Sequence, residues 1–114
     1  MPQGDVLELL EDVQNPGHWE DDNFAMDFVN YADIKAGQTL AGTPTVASVA
    51  PSGATSLTLG ARQTATINGT QVIFSITLPQ GAPPNYVYPV TCTVGTSGGE
   101  TLVQAGSLLA QGSY

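Results

Sequence analysis

Tyr86 to Gln104 reads YVYPVTCTVGTSGGETLVQ, two extended runs around a dense turn signal. In the first run Tyr88, Val90, Cys92 and Val94 occupy every second position, with Pro89, Thr91 and Thr93 between them. That is the two-residue period of a half-buried β-strand. Thr96-Ser97-Gly98-Gly99 supplies glycines for a tight reversal, and Thr101-Leu102-Val103 restarts the alternation. The stretch therefore predicts a β-hairpin whose inward residues seed a core.

Working upstream, Asn68-Gly69 separates Gln63–Ile67 from Val72–Leu78, a second hairpin signal with Val72, Phe74, Ile76 and Leu78 on its inward face. Phe24, Met26 and Phe28 alternate as a first body strand, and 30–37 reads as irregular or a single helical turn. Gln38 to Ala50 is interrupted by Pro44, as in a broken or edge strand, and Thr55 to Leu59 is a short strand. The last strand extends through Leu108. Short strands with turns every 8 to 12 residues predict an all-β, immunoglobulin-like β-sandwich of about seven strands. Its expected core is Phe28, Val72, Phe74, Ile76, Val90, Cys92 and Val94. The antibody-type marks are missing, since Cys92 is the one cysteine and Tyr88 precedes it by four residues rather than two.

The chain has 114 residues, the size of one domain. Its net charge is -8 at pH 7, with only Lys35 and Arg62 as strong cations. Nucleic acid needs clustered cations and anionic lipid repels acids, so both are excluded as partners. Eight of the ten acids fall in the first 27 residues: Asp5, Glu8, Glu11, Asp12, Glu20, Asp21, Asp22 and Asp27. This divides the chain into an acidic N-terminal arm, 1–23, and a nearly uncharged β-sandwich domain, 24–114. Within the arm, Val6, Leu9, Leu10 and Val13 follow i, i+3, i+4, i+7, which predicts a short amphipathic helix stopped by Asn15-Pro16-Gly17. So short a helix needs a surface to lie on, either its own sandwich or a neighbouring protein.

The chemistry of the chain is sparse. The single His18 lies in the arm beside Glu20, Asp21 and Asp22, without the spacing of a metal site. The body offers Asp33 and Glu100 but no histidine, so neither acid-base nor nucleophilic catalysis has its parts. We expect no enzyme, no cofactor and no metal. No run is long enough for a membrane span, and the acidic start lacks the basic and apolar regions of a signal peptide. Synthesis in a cytoplasm is the expectation.

Two further stretches carry a resemblance. Asp27-Phe28-Val29-Asn30-Tyr31-Ala32-Asp33-Ile34-Lys35-Ala36-Gly37-Gln38-Thr39-Leu40, and then Tyr88-Pro89-Val90-Thr91-Cys92 running into Thr96-Ser97-Gly98-Gly99, resemble small β-sandwich structural proteins of tailed bacteriophages, of the fibre-tail adaptor or neck type. The resemblance spans 27–104. The chain departs from the group by Gln38 in place of an acid, by the absence of a tryptophan after Asn30, and by a longer N-terminal arm. It implies a non-catalytic virion protein, present in multiple symmetric copies. Such a protein would be made in a bacterial host and would dock on neck, tail, fibre or major capsid proteins. Capsid decoration is an alternative placement. Val6, Leu9, Leu10, Val13, Trp19, Tyr31 and Tyr86 are the candidate docking residues. A carbohydrate-binding module is the alternative of another class, with Trp19, Tyr31, Tyr86 and Tyr88 as stacking faces.

Overall fold

The computed structural model describes residues 6–10, 19 and 22–111. Eight strands form among them: β1 (Val6–Leu10), β2 (Asp22–Asp27), β3 (Leu40–Ser48), β4 (Thr58–Leu59), β5 (Thr66–Asn68), β6 (Gln71–Thr77), β7 (Tyr86–Thr96) and β8 (Thr101–Gln111). One helical turn, α1 (Ala32–Lys35), joins β2 to β3. The first sheet has the order β1-β8-β7-β3, and the second has the order β2-β6-β4 with β5 also on β6. All ladders are antiparallel except β1 on β8, which is parallel.

The two hairpins read from the sequence are both present. In β7–β8 the register runs from Tyr86 opposite Ala110 to Gly95 opposite Thr101, so the last strand continues past Leu108 to Gln111. In β5–β6, Asn68 pairs with Gln71, which leaves Gly69-Thr70 as the two-residue loop. The turn is thus one residue later than Asn68-Gly69, with Gly69 alone at positive φ. Asn68 contributes a ladder pair instead, and only glycine enters the left-handed region at no steric cost.

All seven expected core residues are buried, joined by Met26, Tyr88, Leu108 and Ala110, each fully enclosed. Burial of one such side chain is worth about 1.5–3 kcal/mol. Pro89 stands in a strand with neighbours on both sides, where a missing N–H ordinarily breaks a ladder. Here the β3 ladder ends at Ser48 opposite Val90, and the Ser48 hydroxyl donates to the Pro89 carbonyl, so this edge of Pro89 faces the place where β3 has stopped. No ladder bond is forfeited.

The arm departs from expectation. Val6–Leu10 is not helical but a strand, with Val6 opposite Ser107 and Leu10 opposite Gln111. The 3.6-residue stripe of a short apolar run is compatible with both periods. One or two helical turns are marginal in water, whereas the outer edge of β8 offers unpaired backbone groups to a strand laid beside it. Pairing with β8 of the same chain therefore wins. Val13, the remaining member of the stripe, lies outside the described residues.

Cys92 is fully buried, and burial pushes its thiol up from 9.0 to about 11. The folded chain holds this proton more tightly than the unfolded chain does. Its contribution to stability is complete below pH 9 and is lost as pH rises through about 11. The loss is on the order of 2 kcal/mol. Thermal unfolding between pH 8 and pH 11 should show it, and Cys92→Ala should flatten the step. What then remains above pH 10.0 is the smaller contribution of Tyr88, whose hydroxyl is also raised, first by burial and then by Tyr86.

Candidate interaction surface

The two stretches that carry the family resemblance meet in space. Leu40 opens β3 opposite Thr96 at the end of β7. Just before it, the Gln38 side-chain oxygen accepts the Thr96 hydroxyl at 2.6 Å and the Gly98 N–H at 3.2 Å. Thr39 N donates to the Ser97 hydroxyl at 3.1 Å, and Ser97 N donates to the Thr39 carbonyl at 2.8 Å. The Thr96 hydroxyl in turn accepts Glu100 N at 3.1 Å. A Cβ on Gly98 would lie 2.5 Å from the Gln38 amide oxygen, so the glycine is what lets the carboxamide reach the turn. Four polar contacts thus fasten the start of β3 to the β7–β8 turn, and the Glu100 contact braces the turn itself.

The aromatic candidates are engaged within the fold. Trp19 is half-buried against the core, and its indole N–H donates to the Ala82 carbonyl at 3.2 Å. Tyr31 packs on Phe28 with ring centroids 5.1 Å apart, and its hydroxyl donates to the Val103 carbonyl at 2.6 Å. That carbonyl belongs to the part of β8 preceding Ser107, where the β1 ladder begins, so Tyr31 covers edge that β1 leaves open. Tyr86 is half-buried with its hydroxyl beside Gly53. Tyr88 is fully enclosed, and its hydroxyl donates to the Thr55 carbonyl at 2.6 Å, which removes it as a stacking face. Tyr31 meets β8 at Val103, opposite Thr93, seven residues along β7 from Tyr86. At about 3.3 Å per residue that is roughly 23 Å. Tyr31 and Tyr86 therefore form no common platform. Val6, Leu9 and Leu10 sit at register positions opposite Ser107, Ala110 and Gln111.

The outward face of the first sheet was not anticipated. Strands β3, β7 and β8 contain no charged residue at all. Their registers set Thr45, Thr93 and Val103 in one row, and Ala47, Thr91 and Ala105 in the next. Pro89 opposite Ser107 and Val87 opposite Leu109 complete it. Val87 and Val103 are 56% and 52% exposed. Val49, 75% exposed, follows β3 on the same alternation as Ala47. The signal was available as three uncharged segments in an acidic chain, but only the register shows that they share a face.

Between the edge strands of the two sheets lies a small cleft of about 260 Å³, lined by Pro44, Val46, Leu59, Thr64, Ala65 and Phe74. A register shift between Ala41 and Thr45 bows β3 at one wall. At the other, Gly60 to Gln63 folds around Ser75, whose hydroxyl accepts the N–H groups of Arg62 and Gln63. The lining holds no ionisable group. Among the described residues no three of His, Cys, Asp and Glu gather as metal ligands, and no helix is long and apolar enough to cross a membrane. Comparison with protein-family models, with curated proteins and with solved structures gave no match.

Proposed function

We propose that this chain is a non-catalytic structural protein of a tailed-phage virion, an adaptor that docks at the neck, tail or fibre junction through protein-protein contacts. The observation that carries it is the fastening of Gln38-Thr39 to Thr96-Ser97-Gly98, because the two resembling stretches, 58 residues apart, form one structural unit. Motifs that serve architecture and not chemistry are what an assembly protein requires. The strand order supports an immunoglobulin-like arrangement. β3-β7-β8 follows the C-F-G order of such a sandwich and β2-β6-β4 the B-E-D order, with β1 added beside β8. Tyr88 is no tyrosine corner, since its hydroxyl reaches Thr55 and not the backbone a few residues upstream.

Capsid decoration is the same role at another place on the particle. The carbohydrate-binding alternative is weakened by the burial of Tyr88 and by the separation of Tyr31 from Tyr86. Co-sedimentation of the purified chain with tailed-phage particles tests the proposal, and a cryo-EM map of the decorated particle assigns the position. Binding to a glycan array without particle association would overturn it.

A further inference from the structure

We propose that the outward face of β3, β7 and β8 is a self-association surface, and that its occupant is the same face of a second copy of this chain. Charge decides the partner. Each copy carries a net charge of -8, so two copies repel over most approaches. The three strands hold none of that charge, so two copies can meet here without bringing carboxylates of these strands together. A basic partner finds nothing on this face to pair with.

The side chains suit a sheet-on-sheet contact. Thr45, Ala47, Thr91, Thr93 and Ala105 are short, so little rotamer freedom is lost on burial. Among the described residues, Val49, Val87 and Val103 are three of the four large hydrophobic residues left exposed. Aligned sheets pack about 10 Å apart with interdigitating side chains. Three strands at roughly 4.8 Å spacing, the longer two of eleven residues at about 3.3 Å each, give a footprint on the order of 500 Å² per copy. Two copies then bury on the order of 1,000 Å², the lower end for a specific interface. A reversible two-fold dimer is the expected species. Because residual repulsion from the rest of the chain is screened by ions, added salt strengthens it.

Sedimentation velocity of the full chain from micromolar to millimolar concentration, at low and moderate salt, tests the proposal independently of any virion. The expected result is a monomer-dimer equilibrium that shifts toward dimer with salt. Thr91→Glu and Val103→Glu, each placing a carboxylate on the face of both copies, should weaken it at least tenfold. Ala25→Glu, at an exposed position of β2 on the other sheet, should leave it unchanged. Circular dichroism checks that each variant is folded, and Thr91→Glu serves if Val103→Glu is not. A monomer at all concentrations overturns the proposal, as does association that survives both face variants.

Discussion

Tyr88→Ala should cost about 3–5 kcal/mol in urea unfolding, a large share of the whole stability of a domain this size. The ring is fully enclosed near one end of the core, and its hydroxyl holds the carbonyl of Thr55 in the loop that leads to β4. Truncation removes the packing and the tether together. Tyr88→Phe separates them, because it keeps the ring and deletes one hydrogen bond, which is worth about 1 kcal/mol. At roughly 4–8 °C per kcal/mol, the alanine variant should melt at least about 12 °C lower and the phenylalanine variant only a few degrees lower. If the two variants were equally damaged, the hydroxyl and not the buried ring would be the element that matters.

Removing residues 1–10 is expected to have the second largest effect. Without β1, the backbone of Ser107 to Gln111 loses its parallel partner and becomes an open edge beside Leu108 and Ala110, both fully buried in the intact chain. At about 1 kcal/mol for each ladder bond, the loss should be roughly 2–4 kcal/mol. An open edge also recruits other strands, so the truncated chain should aggregate at concentrations where the full chain does not. Hydrogen exchange gives the more specific check. Protection should fall over Leu108 to Gln111 while Val90 and Cys92, within the β7 ladders, keep theirs. An unchanged midpoint with unchanged exchange would show that β1 does not pair in solution.

What was legible in the sequence was what depends on neighbours along the chain. The alternation from Tyr88 to Val94 and from Val72 to Leu78 names its own buried face, and the glycines between runs mark reversals. Pro44 correctly signalled an edge strand with an irregularity. The strand at Val6–Leu10 was not legible because its partner lies about 100 positions away, and a five-residue stretch with four apolar residues around Glu8 does not choose between periods unaided. The fastening of Gln38 to Thr96 and Gly98 is a tertiary fact of the same kind. Trp19 and Tyr31 looked like free aromatic handles. Each has a polar group whose need for a partner is met inside the fold, by Ala82 and Val103.

The pairing of β1 with β8 also sets an order of events during synthesis. β1 is translated about 100 residues before the strand it pairs with. Until then β1 has no ladder, and β7 lacks one of its two neighbours. The first sheet therefore closes only when translation has passed Gln111, and a product truncated before β8 retains neither its hairpin nor its N-terminal strand. Such distant contacts also slow refolding, because a long loop must close before they form. Translation through β8 thus becomes a condition for hiding these edges, and a nascent fragment is recognisable to proteases by the strand it has not yet matched.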